Sequence, residues 1–391
     1  MRIFEGLERS GREILSSLLG KILTVQKINL PDLRVALTRE KVRKILLVRN
    51  YQGMGDLLCA TPVISSLKSQ FPDASIHFLA NTFNQAAIKN NPGLAKVWAW
   101  DERRKADPRQ WLFFRKSLKQ ERFDLALVLS GNALSLTAIL LADLSGARWV
   151  VGYDTTYYGQ SWGTRLYSCE IPYPPVTREI DKYAGLVEGL GIACSNRFPE
   201  FFVPKGAASD AEVFWKKEFP SNSRPVVGMF LGGKVDRPDR IWPPENFAFV
   251  ARELVEKCGC AVLAITPPSS PRAPAHKREA TFWMDESVHL REFQKAYGKQ
   301  FPVFCDANLG RVGAILQKLN LFICPDGGMM HLAAALRVPT LTLFFGTNPD
   351  IWHPPVPTSQ YIQAPGNDPG KLNAATVAKA AEAFLPTSQP L

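Results

Sequence analysis

Four short segments of the 391-residue chain carry residue types that chemistry needs. Asn50-Tyr-Gln-Gly-Met-Gly-Asp56 follows the apolar run Lys44-Ile-Leu-Leu-Val-Arg49. Gly53 and Gly55 permit a tight turn and close approach of a ligand. Asp56 sits where the next helix should start, as a general base or simply as an N-cap. The spacing is neither the three-glycine dinucleotide fingerprint nor a P-loop. The second segment is Cys324-Pro-Asp-Gly-Gly-Met-Met-His331. Amides of Gly327, Gly328 and Met329 at a helix N-terminus would seat a pyrophosphate. His331, one turn in, could donate to a phosphate oxygen; in the plainer alternative Asp326 only caps the helix and His331 packs in the core. The third, Gly232-Gly233-Lys234 with Arg237 and Arg240 ahead of Trp242-Pro243, offers cations at a strand end or is a solvated basic loop. The fourth, Gly346-Thr347-Asn348, admits a phosphate or sugar with Thr347 as donor, or is a plain turn.

Three of these segments lie in the second half of the chain and could converge on one anion. A diphosphate held by amides and Lys/Arg needs no divalent cation. No His/Cys/Asp/Glu set has metal-ligand spacing, and Cys258-Gly-Cys260 matches no common zinc site. The expectation is therefore no metal and no cofactor.

The elements that must position these segments read as alternating strands and helices. Strands are expected at 44–49, 75–80, 96–98, 125–129 and 149–151, with helices at about 56–70, 108–120 and 134–144. The same style restarts at Pro225, with strands at 226–231, 261–266, 302–305, 321–324 and 340–345. Helices are expected there at 244–257, 329–336 and 373–384. Such alternation implies an α/β fold of two doubly wound parallel sheets, whose ligands bind beyond the carboxyl ends of strands. Two successive units would face a cleft. A Pro-rich, aromatic stretch from Ile171 to about Arg224 reads as the connection between them, and a polar Pro-rich loop is expected at 267–276.

Composition agrees with a soluble globular protein of two or three domains at about 150 residues each. The chain is 46% hydrophobic and 21% charged, which excludes wholesale disorder. No uninterrupted apolar run reaches the roughly 18 residues of a spanning helix. Glu5, Glu8, Arg9, Arg12 and Glu13 interrupt any signal-peptide core, and the seven cysteines are scattered. Both features predict a cytoplasmic protein. The net charge of +11 favours anionic partners: nucleic acid, acidic lipid or phosphorylated small molecules. Residues 1 to about 25 place Phe4, Leu7, Ile14, Leu15, Leu18, Ile22 and Leu23 near one helical face beside Arg2, Arg9, Arg12 and Lys21. This helix would rest on the inner face of an acidic membrane, or pack on the protein.

From Lys44 to Pro354 the chain resembles the ADP-heptose:lipopolysaccharide heptosyltransferases, family 9 of the glycosyltransferases. The resemblance rests on Lys44–Asp56 with Leu57-Leu58 and Thr61-Pro62, on Arg240-Ile-Trp-Pro-Pro-Glu245, on Pro325-Asp-Gly-Gly-Met-Met-His-Leu-Ala-Ala334, and on Phe345-Gly-Thr347. Gly327 stands where the family has Thr or Ser. Thr266-Pro-Pro-Ser-Ser270 stands where it has the acidic residue that holds the donor ribose. The resemblance implies a GT-B fold: two Rossmann-like domains facing an interdomain cleft. It implies an acceptor domain at 41–200 and a nucleotide-sugar donor domain at 201–370; the helix and linker at 1–40 are additional to the usual family start, and a helix and tail follow at 371–391.

It also implies inverting, metal-independent transfer of heptose from ADP-heptose to the lipopolysaccharide inner core. Asp56 takes the place of the general base. Lys234, Arg240, Asp326, Gly327, Gly328, His331, Gly346 and Thr347 form the donor side. Gly53 and Gly55 lie on the acceptor side, and the basic Arg103, Arg104, Lys105 and Arg165 are candidates to meet a phosphorylated glycolipid acceptor, or are solubility charges. The rival readings are another nucleotide sugar or acceptor on the same fold, a sugar-nucleotide epimerase, and a non-catalytic basic nucleic-acid-binding protein. The last lacks the basic–aromatic strand motifs of the usual RNA modules, so no nucleic-acid partner is expected.

Overall fold

A computed structural model describes residues 26–51, 53–131, 134–158, 166–220, 224–232, 238–267 and 286–385. The N-terminal amphipathic segment, Arg165, Gly233, Lys234, Arg237 and most of the 267–276 loop lie outside the described residues. The chain divides into two compact units, one ending at Arg197 and the other beginning at Phe198.

In the first unit the order is α1 (Leu30–Arg39), β1 (Lys44–Arg49), α2 (Met54–Cys59), α3 (Pro62–Gln70), β2 (Ser75–Asn81), β3 (Lys96–Trp100), α4 (Pro108–Glu121), β4 (Leu125–Val128), α5 (Leu136–Leu144), β5 (Trp149–Tyr153), β6 (Cys169–Ile171) and α6 (Glu179–Gly189). Its six strands form a parallel sheet in the order β3-β2-β1-β4-β5-β6. Ile45, Leu46, Leu47 and Val48 are all fully buried. A strand covered on both faces reads as a continuous apolar run, which is why β1 is legible in the sequence.

The expected single helix at 56–70 is two helices. Pro62 opens α3 and has no N–H to continue α2, and the Thr61 hydroxyl donates to the Leu58 carbonyl at 2.6 Å. Segment 26–40, expected as linker, packs on this unit. Asn29 caps α1, Leu33 and Leu37 are buried, and Arg34 donates to the Gly189 carbonyl at 2.7 Å.

The second unit runs α7 (Lys205–Glu218), β7 (Val226–Phe230), α8 (Pro244–Cys258), β8 (Ala261–Thr266), α9 (Glu286–Tyr297), β9 (Val303–Cys305), α10 (Leu309–Leu316), β10 (Leu321–Pro325), α11 (Gly328–Ala335), β11 (Thr340–Phe344), α12 (Pro349–Trp352), β12 (Ser359–Gln363) and α13 (Ala374–Glu382). Its sheet is also six-stranded and parallel, in the order β12-β11-β10-β7-β8-β9. Val227, Met229, Phe247, Leu254, Ile323 and Leu343 fill the core between sheet and helices.

The stretch expected as a connection at 171–224 holds β6, α6 and α7. In each sheet the strand order reverses once, beside β1 and β4 in the first unit and beside β7 and β10 in the second. Loops leaving the carboxyl ends of strands at such reversals are where doubly wound sheets bind ligands. The Asp56 loop leaves β1, and the Gly327-Gly328 turn leaves β10.

Candidate active site

In the first unit the loop after β1 is held from three directions. From the end of β2, the Asn81 amide donates to the Asn50 carbonyl at 3.2 Å. The Asn84 amide donates to the carbonyls of Tyr51 and Gly53 at 2.8 and 3.1 Å. From the start of α5, the Ser135 hydroxyl donates to Asn50 Oδ1 at 3.0 Å. From beyond β3, Glu102 accepts from Asn50 at 3.4 Å and from Trp100 Nε1 at 2.9 Å. Gly53 is the N-cap of α2 and makes no side-chain cap, so Asp56 falls inside the first turn rather than capping it. A Cβ on Gly53 would lie 2.0 Å from Asp56 Oδ2, so glycine is what leaves room for the carboxylate.

The Asp56 side chain, 15% exposed, turns to Arg49 at the end of β1. Arg49 Nη2 donates to Asp56 Oδ1 at 3.0 Å and lies 3.9 Å from Glu179 Oε1 on α6. Glu179 is 1% exposed; it accepts from the Tyr183 hydroxyl at 2.8 Å and from Lys182 Nζ at 3.4 Å. Gly131, just past β4, lets α6 come this close, because a Cβ there would meet Glu179 Oε1 at 1.7 Å.

Burial raises the Asp56 pKa above the ordinary carboxylate value; Arg49 opposes this and Glu179 adds to it. Burial by itself would lower the Arg49 pKa, but Tyr183, Asp56 and Glu179 outweigh it and hold the guanidinium charged. Burial also keeps the neighbouring Cys59 thiol and Tyr183 phenol neutral. A carboxylate that is nearly enclosed, charge-paired and yet raised in basicity is a candidate proton acceptor.

Arg103 and Arg104 follow β3 on a short 3₁₀ turn, both exposed. Arg103 pairs with Asp101 at 3.0 Å and its guanidinium lies 5.2 Å from the Phe83 ring. Arg104 pairs with Asp107 at 2.6 Å, and Lys105 with Glu102 at 3.4 Å.

In the second unit three candidates far apart in sequence meet. The Thr347 hydroxyl donates to Asp326 Oδ2, and Arg240 Nη1 lies 3.7 Å from the same oxygen. Arg240 ends a 3₁₀ turn that Trp242 ties to the core. The Trp242 ring is 1% exposed, packs against Phe247 and donates through Nε1 to the Leu372 carbonyl at 3.3 Å.

An Asp326 cap is not made. Gly327 is the N-cap of α11, without a side-chain cap, and Asp326 is turned to Thr347 and Arg240. The first amides of α11 therefore rely on something other than a side-chain cap. Gly327 and Gly328 are half-buried, and a Cβ on Gly327 would meet no atom within 4 Å. Gly346, next to Thr347 in sequence, is exposed. His331, one turn into α11, is 2% exposed, with its ring 6.4 Å from that of Trp352. Burial, helped by His353, lowers its pKa to about 3, so it is neutral at ordinary pH and brings no charge to an anion.

Among the described residues no group of three or more His, Cys, Asp or Glu is placed to hold a metal. Nor, among them, is any helix long and apolar enough to cross a membrane. The seven cysteines are free thiols. The members of the first cluster that sequence reasoning missed are Arg49, Glu179, Lys182 and Tyr183. The last three lie in the stretch expected as a connection.

The two-unit architecture is shared with solved glycosyltransferases. A family 9 glycosyl transferase from Veillonella parvula superposes with a TM-score of 0.72 at 19% identity, over 88% of this chain and 97% of that one. The Escherichia coli heptosyltransferase WaaC, solved with ADP, superposes with a TM-score of 0.68 at 17% identity, over 87% and 99%. The fold is GT-B, built from two parallel-sheet Rossmann-like units. Among curated proteins, lipopolysaccharide heptosyltransferase 3 of E. coli is 24% identical over 77% of this chain and 83% of its own length. Lipopolysaccharide heptosyltransferase 2 of E. coli K12 is 22% identical over 79% and 85%. Residues 111–374 match glycosyltransferase family 9 (heptosyltransferase), and the chain belongs to that family. It is accordingly a glycosyltransferase.

Proposed function

We propose that the protein transfers heptose from ADP-heptose to a phosphorylated inner-core acceptor of lipopolysaccharide, with inversion and without a required metal. The observation that carries the reading is Asp56 at the switch-point end of β1, held by Arg49 and raised in basicity by burial. The family match begins at residue 111, so the role of Asp56 rests on this geometry and on the opening motif.

In this scheme an acceptor hydroxyl attacks the anomeric carbon on the face opposite the diphosphate. A new C–O bond forms as the bond to the diphosphate oxygen breaks, and the hydroxyl proton passes to Asp56. ADP departs with the bonding electron pair. A positioned base of this kind contributes typically about 10²–10⁴-fold. The amides at Gly327 and Gly328, with Arg240 and Lys234 as cations and Thr347 and Gly346 alongside, receive the charge that grows on the diphosphate. Asp326 orients Arg240 and Thr347 through the contacts described above. His331 supports the turn from beneath as a neutral ring. Gly53 leaves the Asp56 carboxylate its place at the reacting hydroxyl; Arg103 and Arg104 meet acceptor phosphates by exchanging Asp101 and Asp107, with Arg165 as a further cation. The enzyme works from the cytoplasmic side, with peripheral contact to the inner membrane where its acceptor lies.

Support for this donor comes from the family and from the WaaC complex with ADP. The test is a mass-spectrometric assay with ADP-, UDP- and GDP-sugars, a purified inner-core acceptor and EDTA. Heptosylated acceptor is expected from ADP-heptose alone, with EDTA harmless. Product from a different donor, product from donor without acceptor, or an EDTA loss restored by Mg²⁺ would each contradict the scheme.

A further inference from the structure

The cluster behind Asp56 contains more ionisable groups than a base and its partner require. Arg49 and Lys182 supply two cations, and Asp56 and Glu179 two anions; Glu179 and Lys182 are 1% and 3% exposed. Taking such a group out of water is costly, and pairing offsets the cost only where each charge is well met. Packed apolar side chains would often anchor α6 to the sheet at no loss of stability, so the charges call for a reason.

The arrangement supplies one. A guanidinium bonded to Asp56 alone would stabilise its negative charge and make it a poor proton acceptor. Here the same Nη2 faces both carboxylates, at 3.0 Å from Asp56 and 3.9 Å from Glu179. Lys182 stands on the far side of Glu179 at 3.4 Å.

We propose that Glu179 and Lys182 are positioning residues for Asp56, Glu179 acting through the Arg49 that it shares with Asp56 and Lys182 through Glu179, so that Glu179 favours proton uptake by Asp56 and Lys182 restrains it. This rests on the reading of Asp56 as the base. The groups that face Asp56 are Arg49 from β1, Glu179 and Tyr183 from α6, and Cys59 from α2, with Lys182 behind Glu179. Tyr183 and Cys59 stay neutral, so the balance of two cations and two anions is set by the other four. Proton uptake by Asp56 leaves Glu179 in fuller possession of Arg49, so the guanidinium remains countered while the base is protonated.

The test uses the full chain and two nearly isosteric variants, Glu179→Gln and Lys182→Met. In Glu179→Gln the side-chain carbonyl still accepts from Tyr183 but carries no charge. Loss of that negative charge leaves Arg49 to Asp56, and the acid limb of kcat/KM for heptose transfer from ADP-heptose moves to lower pH by about half a unit or more. Plateau kcat falls about two- to ten-fold, because the weaker base gains less from proton transfer. Lys182→Met removes a cation, and the limb moves to higher pH. A merely structural role for the pair predicts lower thermal stability in both variants with no opposed displacement of the limbs. Carbon-13 titration of the Asp56 carboxyl, assigned by its loss in Asp56→Asn, reads the same shifts without substrate.

Opposite displacements in rate and in the carboxyl titration support the proposal. Limbs and titrations that superpose on those of the parent overturn it. If Glu179→Gln does not fold, the direction of the limb in Lys182→Met decides the matter alone. Turnover retained by Asp56→Asn would instead overturn the base reading, an outcome distinct from immobile limbs alongside an inactive Asp56→Asn.

Discussion

The two units carry their candidate chemistry at corresponding places, the switch-point loop of each sheet, yet build it in opposite ways. In the first unit the key group is a side chain set among buried charges: Asp56 against Arg49, with Glu179 and Lys182 behind. In the second unit the key groups are backbone amides at a turn with open space above Gly327, and the supporting charges, Arg240 and Asp326, stand beside it. In the proposed scheme the difference follows from the tasks. A base works through its proton affinity, which only a structured electrostatic surrounding can shift. A leaving diphosphate is large and gains charge during the reaction, so it needs donors already aimed at it and room to enter.

That contrast can be broken or sharpened by substitution. The largest effect is expected from Asp56→Asn, which keeps the shape but cannot take a proton: turnover should fall by about 10²–10⁴-fold in a radiolabelled-heptose assay. Next, Arg240→Ala should weaken ADP binding by about ten-fold or more, since a charge-assisted contact to phosphate is lost. Gly53→Ala comes third. Its backbone φ of −66° suits alanine, but the new Cβ displaces the Asp56 carboxylate. Turnover should drop about ten-fold, with a lower thermal stability as the buried Arg49–Asp56 pair is disturbed, and an unchanged rate would show that the carboxylate position is not critical.

The smallest effect concerns pH and stability. His331 has a folded pKa of about 3, below the unfolded value near 6.5, so the unfolded chain binds the extra proton between these limits. Stability from keeping His331 neutral is present above that window and is lost as pH falls through it. His331→Gln should flatten the acid side of a denaturation–pH series by on the order of 1 kcal/mol per pH unit. Parallel curves for the two proteins would show that the ring is not held neutral.

Much of this was legible in the sequence where burial and backbone geometry leave a one-dimensional trace. The fully buried β1 reads as Ile45–Val48, and the glycines after it mark the turn. β10 and the Gly327-Gly328 turn follow the same logic. α6 left a poor trace because its buried face carries Glu179 and Lys182 among Ile180, Tyr183, Leu186 and Val187. Charges on an inward face imitate a solvated one, so the segment reads as a connection. β12 was missed for a related reason: as an edge strand with Gln360 and Tyr361 exposed, it shows no continuous apolar run. Pairings between distant segments, such as Asp326 with Arg240 and Thr347, have no local signal at all. The alternative in which Asp326 caps α11 is not realised, because the carboxylate is turned to those partners instead of the helix amides.

Calorimetric titration of ADP into Asp56→Asn and Arg240→Ala, side by side with the parent protein, tests the division of labour most directly. The account predicts parent-like affinity for Asp56→Asn and at least about ten-fold weaker binding for Arg240→Ala. Weakened binding in Asp56→Asn together with undiminished binding in Arg240→Ala would contradict it.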